Sequence, residues 1–273
     1  MDLTNKISKA INSSSIKDWD NYYGSRKSQA FNHSIDLGDF RNLPYRLLFD
    51  KLSGLIKEKD SIIEIGAGDS QILIDIARTF PDKKIYGLDY LESACHLLKQ
   101  KATRANVQLE VICADLFSPP GELLGKFDFV MSFGVVEHFH DLPSVLKAIA
   151  KFANEDGIVF TLIPNNKHTI YGILMRYWNI DVYNAHVMYD VDDLKEAHQK
   201  SGLHIILCGY FVSSNFSMLS WCFANQKKGI NYWFYVQLTR LSKLIWWLES
   251  KFGLIKPRRF FAPYIICVSK PTV

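Results

Sequence analysis

Ser61-Ile62-Ile63-Glu64-Ile65-Gly66-Ala67-Gly68-Asp69-Ser70 is a short apolar run that ends in an acid and two glycines, and a helical pattern follows over residues 71–80. A β-branched run of this length bounded by glycines reads as a buried strand. Glycines at a strand-to-helix turn let the backbone come close to a ligand, and the N–H groups at the helix start favour an anionic group. The turn taken alone is explained equally well by tight packing. Working outward, the same unit recurs: residues 84–88, 109–113, 127–132 and 157–163 are apolar runs, with amphipathic stretches at 91–105 and 142–152. Short strands alternating with helices predict a parallel sheet. Upstream, apolar residues recur at helical spacing over 43–55. Downstream, a helix at 191–201 ends at Gly202, and strands follow at 203–210 and 264–269.

Acids close the next two strands. Asp89 ends the second, where a carboxylate can accept both hydroxyls of a ribose, and Asp115 ends the third in Ala114-Asp115-Leu116-Phe117, where it can accept from an exocyclic amine. A dinucleotide fingerprint needs a third glycine at the position held by Gln71, which argues against a nicotinamide oxidoreductase. A helix cap is the plainer reading of Asp115.

Together, E-x-G-x-G, the acid closing strand two, A-D-L-F closing strand three and Ser132-Phe133-Gly134-Val135-Val136-Glu137-His138-Phe139 closing strand four resemble the ordered motifs of class I S-adenosylmethionine (SAM)-dependent methyltransferases. The likeness covers roughly residues 55–210 plus the last strand. It implies a three-layer, Rossmann-like α/β fold: a seven-stranded, mostly parallel sheet whose last strand is antiparallel. It further implies SAM as cofactor and S-adenosylhomocysteine as product. Carried over residue by residue, it puts Gly66 and Gly68 at the methionine part, Asp89 at the ribose, Tyr90 on the adenine face, Asp115 and Leu116 at the adenine edge, and Glu64, Ala67 and Phe133 at the same cofactor site. Asp69-Ser70 departs from the pattern, in which a third small residue is usual.

Methyl transfer from a sulfonium consumes a positive charge, so the protein chiefly aligns the acceptor and, for a hydroxyl, removes its proton. His138 is the candidate base, since an unperturbed imidazole of pKa ~6.5 takes a proton at neutral pH; a pocket-shaping role is its plainer reading. His140, Tyr183, His186 and Tyr22 are acceptor-side candidates. Adjacent Glu137, His138, His140 and Asp141 in one short loop do not converge readily on one ion, so no metal is expected. Tyr171, Tyr177, Trp178, Asn179, Tyr183 and Asn184 suit a polar, ring-shaped acceptor or ordinary cover over the sheet.

In 273 residues, 48% hydrophobic and 22% charged, there is apolar surface enough for one soluble α/β domain. Five scattered cysteines without a C-x-x-C pair suggest neither a disulfide framework nor a zinc site and fit a reducing cytoplasm. The sequence shows neither a secretory leader nor a spanning segment. The net charge of +4 is uneven: Lys227, Lys228, Arg240, Lys243, Lys251, Lys256, Arg258, Arg259 and Lys270 face Glu249 alone after residue 222. Within that basic stretch, Tyr232-Trp-Phe-Tyr-Val-Gln-Leu-Thr-Arg-Leu-Ser-Lys-Leu-Ile-Trp-Trp-Leu248 predicts an aromatic helix. Lying on an anionic membrane at the inner face and packing against the domain or a second copy in a homodimer are both open to it. Nucleic acid is not an expected partner, because the basic residues form no regular groove pattern.

The expected organisation is an N-terminal cover at 1–45, the SAM-binding domain at 46–222 and 260–273, and a basic helical insertion at 223–259. The expected activity is O-methylation of a sugar or other hydroxylated biosynthetic intermediate, a small-molecule or glycan acceptor of surface-polysaccharide or glycosylated-metabolite synthesis. The alternatives are N- or C-methylation of a small metabolite or quinone-like lipid, and a non-catalytic SAM-binding module in a glycan-assembly complex.

Overall fold

A computed structural model describes residues 35–224 and 226–272. Seven strands form one sheet in the order β3-β2-β1-β4-β5-β7-β6. They are β1 (Ser61–Ile65), β2 (Lys84–Asp89), β3 (Glu110–Cys113), β4 (Phe127–Phe133), β5 (Ala153–Pro164), β6 (Leu203–Phe211) and β7 (Tyr264–Pro271). The first five pair in parallel, and β7 runs antiparallel between β5 and β6.

The pleat sends successive side chains to opposite faces, and helices cover both. Ile62, Phe129 and Phe160 point into a core beneath α1 (Leu43–Ile56), α2 (Gln71–Thr79) and α3 (Glu92–Ala105), which contribute Leu52, Ile76 and Leu98. Ile63, Val130 and Val159 point into a second core beneath α4 (Leu142–Ala150) and α7 (Val191–Lys200), which contribute Leu146 and Leu194. Both faces are therefore apolar, which is why the strands read as continuous apolar runs. Three of these helices begin where the sequence supplies a side-chain acceptor: Ser70, Asp141 and Asp190 each take a backbone N–H of the first turn of α2, α4 and α7.

β5 begins four residues before the expected residue 157. Phe127 pairs with Ala153, the register then shifts before Phe129, and a Cβ on Gly157 would lie 2.8 Å from Phe127 O. Gly157 is thus a bulge inside the strand, where only a glycine lets the neighbouring backbone approach.

Two helices lie in the aromatic stretch that carried no predicted element: α5 (Ile170–Trp178), capped by Thr169, and α6 (Ile180–Asn184), capped by Asn179. With a 3-10 segment at Phe216–Phe223 and α8 (Ile230–Phe252), α5 builds a third apolar cluster around Tyr171, Met175, Leu219 and Phe223. α8 extends past the expected 232–248 at both ends because Gly229 and Gly253, at φ +88° and +101°, are where its backbone turns. Among the described residues no helix is long and apolar enough to cross a membrane.

Candidate functional site

Strand order reverses between β1 and β4, and the crevice at the strand C-termini there is where open α/β sheets bind ligands. Gly66 and Gly68 turn the chain at φ +70° and +49°. A Cβ on Gly66 would meet Val135 Cγ2 at 2.4 Å, so the loop after β4 closes directly on the loop after β1. Gly66 and Ala67 N–H both donate to Leu88 O, at 2.8 and 3.0 Å. Ser70, at the position unusual for the motif, caps α2 by accepting from Leu73 N–H at 3.2 Å.

Asp89 is buried, and its carboxylate ties two loops together. Oδ2 accepts from Gly68 N–H at 2.8 Å and Oδ1 from Leu91 N–H at 3.0 Å. Burial pushes its pKa up against the pull of these donors. Asp115 Oδ1 accepts from Phe117 N–H at 3.0 Å, and no helix starts there, so a helix cap is not its role. Leu116 is buried beside it and Tyr90 is half-buried.

A cavity of about 530 Å³ opens from this loop and is lined by Glu64, Gly66, Ala67, Asp69, Ser70 and Phe133. Its other walls come from residues that the sequence reading did not single out: Arg41, Tyr45, Asn215, Trp246 and Tyr264. Tyr45 is anchored by donating to Asp75 Oδ2 at 2.5 Å, and Tyr264 by accepting from Asn215 Nδ2–H at 2.9 Å.

Glu64 stands 3% exposed in the wall, and its Oε2 has no hydrogen-bond partner among the described residues. Desolvation pushes its pKa up to about 8, against a hydrogen bond from Ser70 and with help from Asp89 and Asp69. A carboxyl that stays protonated in the folded state but ionises in the unfolded chain loses stability as pH rises. The loss starts near the ordinary value and ends near the raised one, at up to about 1.4 kcal/mol per pH unit. Ligand-free protein is therefore expected to melt lower at pH 8 than at pH 5, and Glu64→Gln to lessen that dependence, leaving the share of Glu137, whose pKa burial likewise pushes up to about 8. An identical pH slope in the variant, measured by calorimetric melting, contradicts this.

A 3-10 turn at Val136–His138 follows β4 through Gly134. His138 is 9% exposed, with Nδ1 2.9 Å from Ala185 O. His186 comes from the end of α6, with Nδ1 2.7 Å from Val182 O, and the two rings lie 5.0 Å apart. A carbonyl only accepts, so each Nδ1 carries the hydrogen and Nε2 is the basic nitrogen of both rings. Burial, with His186 adding to it, lowers the His138 pKa to about 4, and burial lowers that of His186. The value near 6.5 expected from sequence does not survive burial, and His138 is neutral throughout the physiological range.

The other acceptor-side candidates are dispersed. His140 is exposed, while its backbone carbonyl and that of Phe139 accept from Tyr189 OH. Tyr183 packs against the third apolar cluster, its ring 6.0 Å from the Arg176 guanidinium. Neither lines the cavity, and His138, His186, Asp89 and Asp115 also lie outside its lining. Tyr22 lies outside the described residues.

Trp246, Ser242 and Glu249 form the buried face of α8. Trp246 Nε1–H donates to Ser214 O at 2.7 Å, Ser242 Oγ accepts from Phe216 N–H at 3.0 Å, and Glu249 Oε2 accepts from Ser213 Oγ–H at 2.8 Å. The aromatic helix thus packs on the domain and walls its cavity, yet its opposite face is open: Ile230, Trp233, Phe234, Leu241, Leu244, Leu248 and Phe252 are all exposed.

Comparison with known proteins agrees with this geometry. A family model described as a methyltransferase domain matches residues 38–207. A ribosomal protein L11 methyltransferase of Thermosipho africanus is 29% identical over 130 residues, 46% of this chain and 47% of that protein. A ubiquinone biosynthesis O-methyltransferase of Bartonella quintana is 23% identical over 166 residues, 58% of this chain and 65% of the relative. The match thus spans about half to two thirds of these relatives' lengths. The structure of coclaurine N-methyltransferase bound to N-methylheliamine and S-adenosylhomocysteine superposes with a TM-score of 0.64 at 11% identity, covering 98% of this chain and 86% of that one, a likeness of fold alone. With the family model spanning more than half its length over the strands and loops just described, the chain belongs to the class I SAM-dependent methyltransferases.

Proposed function

We propose that the chain transfers the SAM methyl group to a hydroxyl of a small-molecule or glycan acceptor, a sugar or similar hydroxylated intermediate. In this reading Gly66, Ala67 and Gly68 hold the methionine part, Asp89 the ribose, and Asp115, Leu116 and Tyr90 the adenine. The observation that carries it is the pair of imidazoles beside the loop after β4, both fixed with Nε2 as the basic nitrogen. A hydroxyl acceptor must lose a proton as the O–CH3 bond forms, and a neutral imidazole can take it; a neutral amine has less need of such a group. His138→Ala is expected to lower turnover about 100-fold or more while leaving SAM affinity unchanged. Unchanged turnover, with the chemical step rate-limiting, overturns the oxygen reading in favour of N-methylation.

The reading extends to where the acceptor is met. The open stripe of α8 is bordered by exposed Arg240, Lys243 and Lys251 and continues into Leu254, Ile255, Lys256 and Arg258, whereas Arg259 is engaged with Asp190 at 3.3 Å. An apolar stripe with a basic edge suits the interface of an anionic bilayer and supports the 223–259 segment as a peripheral contact at a membrane's inner face.

A further inference from the structure

Glu137 and His138 from the turn after β4, and His186 from the end of α6, each offer one ligand atom, and the three atoms lie within 4.8 Å of one another. Glu137 and His138 are neighbours in the chain, but the third member arrives from a separate segment, held there by Val187 N–H donating to Glu137 O at 2.8 Å. Convergence that one loop cannot supply is thus supplied by two.

Two features point to a ligand. The Glu137 carboxylate is 2% exposed, yet its Oε2 has no hydrogen-bond partner among the described residues. A buried carboxylate oxygen without a donor is unfavourable unless the group takes up a proton or something positive meets it. Both imidazoles also direct Nδ1 to backbone carbonyls of the segment that carries His186, at 2.9 Å to Ala185 O and 2.7 Å to Val182 O. Donation of one ring N–H to a carbonyl is the outer-shell arrangement that orients the other nitrogen toward a metal.

We propose that a Glu137 carboxylate oxygen, His138 Nε2 and His186 Nε2 are the protein ligands of a divalent transition-metal ion, with its remaining positions open to water or to oxygens of the acceptor. Two imidazoles and one carboxylate suit Mn2+, Fe2+ or Zn2+ better than the all-oxygen preference of Mg2+. The inference rests on the O-methylation reading and deepens it. A hydroxyl bound to the ion loses its proton more readily, to water or a buffer base. Its oxygen lone pair then forms the O–CH3 bond as the S–CH3 bond breaks, leaving neutral S-adenosylhomocysteine, and the net products include one proton. The acceptor class that such an ion selects is one that presents adjacent oxygens, such as a vicinal diol or catechol. His138 then acts as a ligand, and the ion takes over the task of lowering the hydroxyl's hold on its proton.

The test is titration of chelator-treated full-length protein with MnCl2, followed by electron paramagnetic resonance, beside SAM calorimetry and methyl-transfer assays on the same samples. One bound Mn2+ per chain is expected, with at least tenfold weaker binding in His186→Ala and in Glu137→Gln. Chelation is expected to lower methyl transfer, and added Mn2+ or Zn2+ to restore it, at constant SAM affinity. Glu137 is fully buried and its variant can fail to fold, so the half-buried His186 variant, checked by thermal melting, decides the matter. Absence of Mn2+ binding at millimolar metal, or equal binding by wild type and His186→Ala, overturns the site. The O-methylation reading survives that result, because the position of the transferred methyl group tests it independently of any metal.

Discussion

Asp89→Ala is expected to weaken SAM binding by about two orders of magnitude or more. The carboxylate has two roles in the account. Its oxygens already hold Gly68 N–H and Leu91 N–H, at 2.8 and 3.0 Å, and so fix the glycine turn against the end of β2. In the proposed site the same oxygens also accept from the ribose hydroxyls. Hydrogen bonds to a charged group contribute about 1.5 to 3 kcal/mol each, and about 1.4 kcal/mol is a tenfold change, so losing the ribose contacts alone accounts for the drop. Release of the Gly68 loop adds to it. Asp89→Asn is expected to fall between, since one acceptor oxygen remains while its NH2 confronts a backbone donor. Calorimetry on the folded variants measures this directly, and an unchanged dissociation constant for Asp89→Ala removes Asp89 from the site.

The second large effect concerns α8, where adjacent tryptophans have opposite fates. Trp246 is 3% exposed and hydrogen-bonded, whereas Trp247 is 41% exposed. Trp246→Ala empties a packed position and strands Ser214 O, and is expected to cost about 3 to 5 kcal/mol of stability. Leu244→Glu with Trp247→Glu alters exposed side chains and is expected to leave melting and SAM binding as they were while abolishing cosedimentation with vesicles containing anionic lipid. In the wild type, rising salt is expected to weaken vesicle binding without eliminating it, because the share from Arg240, Lys243 and Lys251 is screened and the apolar share is not. Protein that ignores such vesicles at low salt, and in which the double variant instead dissociates a dimer, identifies the stripe as a contact between copies.

These expectations rest unevenly on sequence and on structure. The β1 loop was legible because local chemistry dictates it: Gly66 and Gly68 occupy left-handed backbone, and Asp89 terminates its strand where a carboxylate meets loop N–H groups. Strand identity was legible because both sheet faces are buried and the runs are unbroken. The start of β5 was not, because Gly157 reads as a boundary when seen alone and becomes a bulge only opposite Phe127. Signals for α5 and α6 were present in Thr169 and Asn179 as caps, as were Gly229 and Gly253 for α8, but aromatic content drew the reading toward a binding surface. Tyr45, Asn215, Trp246 and Tyr264 reach the cavity from four separate segments, a meeting that no spacing encodes. For the same reason Glu137 and His138 were recognisable as polar groups in the turn after β4, while their convergence with His186 required the fold.

In the proposed reaction this cleft delivers a SAM methyl group to oxygen. The most direct measurement is incubation of the purified chain with SAM carrying a 13C-methyl group and a fractionated metabolite and lipid extract, with nuclear magnetic resonance on the labelled product. The account predicts stoichiometric S-adenosylhomocysteine and a label carried as an O-methyl ether. A label on nitrogen or carbon, or tight SAM binding with no transfer to any fraction, contradicts it.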